Sequence, residues 1–485
     1  MIALLLWLAG WGAEDDFERG MELARARSLQ QARQAFQAGY ARAPLDKRFP
    51  LELAGLAYLE NDLPAAKRYL RRALRLDPGD VYANDFLGSL YFLEDNPEAA
   101  LKYWNRARKP WIAGVAVEAG SLDPILIDRA LAFSPAAVLT LEQYRLSLAR
   151  LGSIGAGRDA RLDLAAEPGD QFRVTLRALE PSKWSSLAGL ARGLPFQTLH
   201  VDLSNPGGAG GSWRNLLRWD ARRRRLWTSF AAPLGRNPKW GYRFHADLRR
   251  ETWNTGGADF RMDRTLAGFE IRSVASERLS WQSGFEASWR DFRDAPALRR
   301  GFALKYRAGA DYELLRLPES RVRLVAGGAW ELGRGFLARS PESLSGPRPQ
   351  GAVPADSRYA SFSSLALGTG ARAAVMQGAG LFSRLEASLA GEWLPKPYSL
   401  RARLRLGGAL GPAPFDELFS LGMDRDHDLL LRGVSATRFG KKGGGPLGRD
   451  YVLANWDADR EIFSQGLVAV RLGPFVDTGK VSGGA

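Results

Sequence analysis

The chain has 485 residues and a formal net charge of +15, with 45% hydrophobic and 25% charged residues, which is ordinary for folded protein. It contains no cysteine, which excludes disulfides, thiolate metal sites and cysteine nucleophiles. The mean hydropathy of −0.25 argues against a membrane protein built from helices, but not against a membrane sheet in which every second residue meets lipid. Lysine and arginine are spread along the whole sequence, with a single run at Arg222 to Arg225, so the positive charge does not indicate a nucleic-acid partner.

The sequence begins with an apolar run, Ile2 to Ala13, which is followed by three acidic residues. A run of about a dozen residues is too short to cross a bilayer core of roughly 30 Å as a helix. It fits the apolar part of a secretory signal peptide, so we predict a signal over residues 1–13. The alternative is a buried N-terminal helix.

A period of 34 residues follows the apolar run. Eight residues recur at this shift: Leu56, Leu59, Glu60, Ala65, Ala66, Tyr69, Arg72 and Ala73 are matched by Leu90, Leu93, Glu94, Ala99, Ala100, Tyr103, Arg106 and Ala107. Over residues 17–109 the pattern resembles the tetratricopeptide repeat, in which pairs of antiparallel helices stack to bury their apolar faces. The resemblance implies a concave surface for a peptide, a periplasmic protein or a lipoprotein; a purely structural spacer is the alternative.

Residues 110–180 have a mixed pattern. Five elements are predicted in the order β-α-α-β-β: a strand at Ile112 to Glu118, helices at Asp123 to Phe133 and Thr140 to Leu151, and a hairpin of Arg158 to Ala165 with Gln171 to Leu179. Thr140 and Gln143 have the spacing of a helix capping box. This order resembles a POTRA domain, which implies a periplasmic position and a sheet edge that binds an extended client strand.

From about Phe196 to the end of the chain the residues alternate between apolar and charged. Leu400, Ala402, Leu404 and Leu406, for example, alternate with Arg401, Arg403 and Arg405. Because side chains in a strand point alternately to the two faces, this pattern predicts a sheet with one apolar and one charged face. The strands are long enough for a tilted membrane span and carry Trp and Tyr near their ends, so we expect an antiparallel transmembrane β-barrel over residues 196–485; a soluble β domain is the alternative.

About thirteen candidate strands lie between Phe196 and Val481. Bacterial barrels of one chain have an even number of strands, and the sequence lacks a final amphipathic strand that ends in an aromatic residue. We therefore expect the C-terminal strands of the barrel to be missing from this sequence.

Two motifs near the C-terminus carry a family resemblance. They read PFDELFSLGMDRDHDLLLRGV at Pro414 to Val434 and PFVDTGKV at Pro474 to Val481. Together they resemble the late barrel of the BamA/TamA family, also called the bacterial surface antigen family, whose members insert or export other proteins through barrels of about 16 strands. In that family a long loop carrying an Arg-Gly motif folds back into the barrel interior.

The resemblance places six residues of this sequence in a site. Arg432 and Gly433 match the Arg-Gly motif, Phe475, Asp477 and Gly479 match the Phe-x-Asp-x-Gly motif, and Glu461 is the candidate inward acid of the preceding strand. A partly desolvated arginine needs carboxylate partners, and its planar fork can hold two. We therefore hypothesise that Arg432 bridges Asp477 and Glu461 and pins the loop; the alternative is unrelated interior charge. Val434 stands where the family commonly has an aromatic residue.

The sequence offers no catalytic, metal or cofactor site. There is no Gly-x-Ser-x-Gly motif and no phosphate-binding glycine loop, and His200, His245 and His427 have no metal-ligand spacing. His427 lies among Asp424, Asp426 and Asp428, for which solvated loop charge is the preferred interpretation.

Three functions remain open. The first is a non-enzymatic factor of the outer membrane, in contact with its lipid, which takes unfolded outer-membrane or secreted clients through an N-terminal half in the periplasm and passes them into or across the membrane. The second is a passive channel or structural surface barrel. The third is a soluble, repeat-based binding scaffold.

Overall fold

The computed structural model describes residues 2–118, 120, 122–154, 160–178, 193–255, 258–295, 298–338, 379–424, 429–465 and 468–483. The chain forms two compact units. The first comprises residues 1–118, 132–145 and 162–176, and the second comprises residues 119–131, 146–161 and 177–485. The fold class expected from the sequence is confirmed: helices come first, a small four-stranded sheet follows, and a large antiparallel sheet fills the C-terminal part.

In the part of the chain that the structure describes, six helices precede the first strand. They are α1 (Ile2–Arg25), α2 (Leu29–Arg42), α3 (Arg48–Leu59), α4 (Leu63–Leu76), α5 (Val81–Leu93) and α6 (Pro97–Trp104). The predicted signal region thus lies in the first half of α1, and the signal itself stays a prediction. No helix among the described residues has both the length and the hydropathy to cross a membrane.

The 34-residue period of the sequence has a counterpart in packing and capping. The ring of Phe36 packs against Gly20 and the ring of Trp104 against Gly88, so closely that an added Cβ would lie 2.4 Å from the ring in both cases. The two pairs are two periods apart in the sequence. One period separates the N-caps of α4 and α6, where Asp62 and Asn96 each accept a backbone hydrogen bond. These repeated pairs set the spacing of the helices.

The small sheet has the order β2-β1-β4-β3, formed by β1 (Trp111–Glu118), β2 (Ala137–Val138), β3 (Arg161–Glu167) and β4 (Gln171–Arg177). Helix α7 (Pro124–Ala130) is shorter than predicted, and the two-residue strand β2 was not predicted. Helix α8 (Leu141–Ser153) begins with the predicted capping box, because the Gln143 backbone N donates to Thr140 Oγ1 at 3.1 Å and the Thr140 backbone N donates to Gln143 Oε1 at 3.0 Å.

The large sheet contains fifteen described strands. Ten of its strands follow one another along the chain: β5 (Thr198–Ser204), β6 (Ser212–Trp219), β7 (Arg223–Leu234), β8 (Asn237–Thr255), β9 (Ala258–Val274), β10 (Leu279–Arg293), β11 (Gly301–Leu317), β12 (Val322–Leu337), β13 (Gly380–Trp393) and β14 (Tyr398–Leu410). Each pairs antiparallel with the next.

The chain between Gly411 and Arg449 leaves this ladder, and we call it the inner segment. It carries four two-residue strands, β15 (Phe419–Ser420), β16 (Thr437–Arg438), β17 (Lys441–Lys442) and β18 (Leu447–Gly448). The ladder then resumes with β19 (Asp450–Gln465), which pairs with β14 on one side and with both β20 (Val468–Leu472) and β21 (Phe475–Ser482) on the other. Among the described residues, β5 at one end of the sheet does not pair with β20 or β21 at the other.

The large sheet curls around the inner segment. Asp424 pairs with an arginine of β7 at 2.7 Å, and Arg432 pairs with a carboxylate of β19 at 2.5 Å. Strands β7 and β19 are eight steps apart in the sheet order, which would be roughly 38 Å in a flat sheet. Yet the backbone N of Met423, beside Asp424, donates to the O of Val434, close to Arg432, at 2.6 Å. The strands must therefore wrap around the inner segment as an open barrel.

The two faces of this barrel differ as the alternation predicted. Large apolar side chains on the outer face are exposed: Phe244, Phe285, Trp289, Leu304, Trp330, Leu385, Leu404 and Trp456. Charged side chains on the inner face are buried: Asp247, Glu251, Glu270, Glu286, Arg290, Lys305, Glu331 and Arg405. The interior of this unit is therefore ionic, and its surface is apolar.

Candidate functional site

Arg432 holds the inner segment to β21 through a two-oxygen contact. Its Nε and Nη2 donate to the two carboxylate oxygens of Asp477 at 2.7 and 2.6 Å, and its backbone N donates to Asp477 Oδ2 at 2.7 Å. Its Nη1 donates to Asp457 Oδ1 on β19 at 2.5 Å. The guanidinium also lies over the ring of Phe475, 3.9 Å from its centroid. The two guanidinium hydrogen bonds to Asp477, the backbone hydrogen bond and the contact with the Phe475 ring together fix one orientation of this arginine.

The partners of Arg432 are themselves held in place. The side chain of Asp477 is 1% exposed, whereas that of Arg432 is 22% exposed. The side-chain amide of Asn455 donates to Asp477 Oδ1 at 2.9 Å and to the backbone O of Leu430 at 2.9 Å, which ties the strand to the segment. Hydrogen bonds to Asp477 and Asp457 raise the pKa of Arg432 above its usual value and outweigh the effect of desolvation.

The two motif glycines have different physical roles. Gly433 has φ of +89°, a conformation that glycine adopts without strain, so it lets the chain turn immediately after Arg432. A Cβ on Gly479 would lie 2.9 Å from a methyl carbon of Leu421 and 3.1 Å from one of Leu453. Gly479 therefore lets an apolar cluster of the inner segment approach the backbone of β21.

The predicted partnership with Glu461 is corrected by the structure. Glu461 accepts from Arg471 on the neighbouring strand β20 at 3.2 Å, and the side chains of Arg471 and Glu461 are 48% and 37% exposed. Asp457, four residues earlier on the same face of β19, pairs with Arg432 instead. Alternation correctly indicated the face of the strand, but not the level along it at which the inner segment makes contact.

A second and more deeply buried set of contacts lies at the start of the inner segment, at Asp416 and Glu417. The carboxylate of Glu417 meets four cations of the barrel wall, from β9, β10, β11 and β13. The distances are 3.5 Å to Arg264, 2.7 Å to Arg290, 3.0 Å to Lys305 and 3.1 Å to Arg384. Asp416 pairs with Arg290 and, at 3.0 Å, with Arg264.

Burial and charge act in opposite directions on Glu417. Its burial alone would raise the pKa of the carboxyl, but the surrounding cations, Lys305 and Arg264 first, hold the pKa of Glu417 well below its usual value. Glu417 is therefore a buried carboxylate that stays charged at neutral pH. Its ion pairs are shielded from water, and loss of the carboxylate would leave a buried excess of positive charge among the wall cations.

Further contacts are spread along the inner segment. Arg223 of β7 donates through Nη1 to both oxygens of Asp424, at 2.8 and 2.7 Å. Lys442 pairs with Glu251 of β8 at 2.8 Å. Phe415 adds apolar contact, because its ring lies edge-on to that of Trp253 with centroids 4.8 Å apart. The inner segment is thus attached to the wall along most of its length.

Comparison of the sequence with protein-family models and with curated proteins finds no match. Among solved structures, the chain is similar to CdiB from Escherichia coli, with a TM-score of 0.46 and 13% identity over 77% of this chain and 66% of that one. It is similar to CdiB from Acinetobacter baumannii, with a TM-score of 0.42 and 11% identity over 86% of this chain and 72% of that one. BamA from Haemophilus ducreyi lacking POTRA domains 1–3 gives a TM-score of 0.39 and 12% identity over 77% of this chain and 72% of that one.

BamA, whose family the sequence motifs resemble, is one of these solved structures. The chain spans about two thirds of the length of CdiB from Escherichia coli, namely 66%.

Sequence reasoning missed Asp416, Glu417 and their four cations. Two acidic residues in a loop give no signal of burial, and the cations that meet them come from four separate strands. The preceding Phe415 was the available hint, because an aromatic residue beside two acids is unusual in a solvated loop. The interpretation as solvated loop charge is wrong for Asp424, whose side chain is 4% exposed and pairs with Arg223. Asp426, His427 and Asp428 lie outside the described residues.

Proposed function

We propose that this chain is a non-enzymatic outer-membrane protein that inserts other proteins into the membrane or moves them across it. The observation that carries the proposal is the Arg432–Asp477 contact, which pins a long segment inside a curled antiparallel sheet. This is the arrangement that the Arg-Gly and Phe-x-Asp-x-Gly motifs imply in the BamA/TamA family.

The outer face of the barrel supports a membrane location. Phe285, Leu385 and Trp456 are more than half exposed on three different strands. In water such a continuous apolar surface would drive association, whereas lipid accommodates it. Lipid offers no hydrogen-bond partners, so every backbone N–H and C=O group inside a membrane must pair within the protein. The long antiparallel strand pairings provide these partners along the interior of the sheet.

Two features of the N-terminal unit support client binding in the periplasm. The helical repeats expose aromatic side chains, including Tyr58 and Tyr82, whose rings both contact that of Phe86. Strand β3 forms the end of the small sheet, and its outer edge has no partner strand among the described residues. An extended client segment could add to such an edge through backbone hydrogen bonds.

A passive channel is the second candidate, and the inner segment argues against it. Charged side chains of β7, β8, β10, β11 and β13 form ion pairs with this segment inside the barrel. A large steady conductance of the full-length protein in planar bilayers, without any effect on other proteins, would favour the channel. Release of the protein from membranes by carbonate would instead favour the soluble scaffold.

The client role is tested by depletion in the native host followed by complementation. Depletion should lower the abundance of some other outer-membrane or secreted proteins, as measured by quantitative proteomics of the outer membrane and the medium. The wild-type gene should restore them. If no other envelope or secreted protein changes, the proposed role is wrong.

The Arg432 contact is tested in the same strain by charge exchange. Arg432→Glu should fail to complement, because it places three carboxylates together at Asp457, Asp477 and the new side chain. Arg432→Glu combined with Asp477→Arg should recover part of the activity. Equal performance of the single and double variants would contradict the pairing.

A further inference from the structure

Four cations of the barrel wall converge on one point of the inner face. Arg264, Arg290, Lys305 and Arg384 come from β9, β10, β11 and β13, yet all reach the carboxylate of Glu417 within 3.5 Å. Their side chains are between 3% and 15% exposed. Cations gathered around one carboxylate repel one another strongly where water is excluded, so the cluster is stable only with anions beside it.

The wall does not supply enough negative charge for this cluster. The wall cations linked through ion pairs are Arg264, Arg290, Lys305, Arg307 and Arg384, and the wall carboxylates linked to them are Glu286, Glu331 and Glu386. Among the described residues, these five cationic side chains thus face three carboxylates. Asp416 and Glu417 of the inner segment bring the two that are missing.

The cluster also has unused hydrogen-bonding capacity. The Nε atoms of Arg264 and Arg384 are buried and have no acceptor within the described part of the chain. A buried N–H without an acceptor is costly, and a tetrahedral oxyanion presents more acceptor atoms than a carboxylate does. The site could therefore hold an anion other than the side chains that occupy it here.

We propose that the inner wall contains an oxyanion-binding site, formed by Arg264, Arg290, Lys305 and Arg384, that Asp416 and Glu417 of the chain itself occupy. Its ligand class is a phosphate or a carboxylate group. The inner segment fills the site as a built-in ligand, and a free oxyanion takes its place when those two carboxylates are neutralised. This property does not depend on the client role of the protein.

The test is chemical rescue of a variant that empties the site. In Asp416→Asn/Glu417→Gln, the wall keeps its excess positive charge and the folded barrel should unfold at a lower temperature in detergent with sodium chloride. Replacing chloride by inorganic phosphate at constant ionic strength should raise the unfolding temperature saturably. At a hundredfold excess over the dissociation constant the rise should be about 5 °C. A parallel titration with glutarate tests whether carboxylates act like phosphate.

Asp424→Asn is the matched control. It neutralises another buried carboxylate of the same inner segment, but Asp424 has Arg223 at 2.7 Å and Arg218 only at 3.9 Å, with Asp220 close to Arg218. Phosphate should stabilise neither this variant nor the wild type beyond its general salt effect. Equal responses of the two variants to phosphate and glutarate would overturn the proposal, as would the absence of any response in Asp416→Asn/Glu417→Gln.

A folding defect does not remove the test. If Asp416→Asn/Glu417→Gln is recovered only unfolded from chloride, the refolding yield with and without phosphate is measured instead. A yield that phosphate raises several-fold, with no such rise for Asp424→Asn, supports the site. A yield that phosphate leaves unchanged contradicts it.

Discussion

The helical repeats and the large sheet bury opposite kinds of side chain. Phe36, Leu70 and Leu87 are fully buried between helices, with charged residues outside. Inside the barrel, Lys305 of the wall and Glu417 of the inner segment are 2% and 4% exposed, while Phe285 on the outer face is 58% exposed. The hydrophobic effect explains the first arrangement in water, and the second is stable only if apolar surface outside is no longer a cost. The helical repeats are therefore suited to water, and the large sheet is suited to surroundings that accept an apolar surface.

The largest effect is expected from reversing a charge inside the barrel. Glu417→Lys would place a fifth cation among four, and breaking a buried ion pair alone costs about 3–5 kcal/mol. We expect the variant to lose the folded barrel, measured as the fraction of chain protected from protease in detergent. Glu392→Lys is the control, because Glu392 is 40% exposed on β13 and its ion pair with Arg401 spans 3.9 Å. Similar losses of folded barrel in both variants would show that burial of Glu417 among the wall cations does not cause the loss.

In the repeats, the comparable loss of stability is expected from shortening a side chain in the apolar core. Leu87→Ala removes a fully buried side chain and should cost about 2–5 kcal/mol of the free energy of unfolding, read from the helical circular-dichroism transition. Leu93→Ala, at a side chain that is 61% exposed, should change it by less than about 0.5 kcal/mol. A mild effect at Leu87 would mean that the repeats lack an apolar core.

The outer face of the sheet gives the sharpest contrast with a soluble protein. Leu404→Arg places a charge among exposed apolar side chains of β14 and should cost about 2–4 kcal/mol if the position lies near the bilayer centre. The measurement is folding equilibrium into lipid vesicles. Arg403→Lys, on the inner face of the same strand, is the control and should fold like the wild type. A neutral outcome for Leu404→Arg would place this face in water.

The smallest effect is expected from a conservative change at the motif. Arg432→Lys keeps the charge but loses the two-oxygen contact with Asp477, at a cost of about 1.5 kcal/mol. The inner segment should then detach more often, so trypsin should cleave it faster after Lys441 or Lys442. Arg401→Lys, at an exposed arginine of β14, should leave the cleavage rate unchanged. Unchanged cleavage in Arg432→Lys would show that this contact does not hold the segment.

Local periodicity predicted most of the fold. The 34-residue period corresponds to the close contacts of Gly20 with Phe36 and of Gly88 with Trp104. Strict alternation correctly predicted that Glu286 and Phe285 lie on opposite faces of the sheet. These signals depend only on neighbours along the chain or on one repeat of the structure. The short strand β2 was missed, because two residues carry no period.

The site was only partly predictable, because its contacts join distant parts of the sequence. The motifs gave Arg432 and Asp477 through family resemblance, and the structure brings them together. Four acids or amides share the inner face of β19, so the pattern could not separate Asp457 from Glu461. Glu417 and Lys305 are 112 residues apart, and no pattern along the chain relates them.

The most direct test is a cysteine scan of β10 in vesicles, since the chain has no cysteine and each introduced thiol is unique. Single substitutions by cysteine at positions 283 to 289 are labelled with a lipid-soluble and with a water-soluble thiol reagent. We expect a period of two, in which Phe285→Cys, Ala287→Cys and Trp289→Cys react from lipid and Glu286→Cys and Ser288→Cys do not. Labelling from lipid with no alternation, or with the opposite phase, would contradict a barrel that is ionic inside and apolar outside.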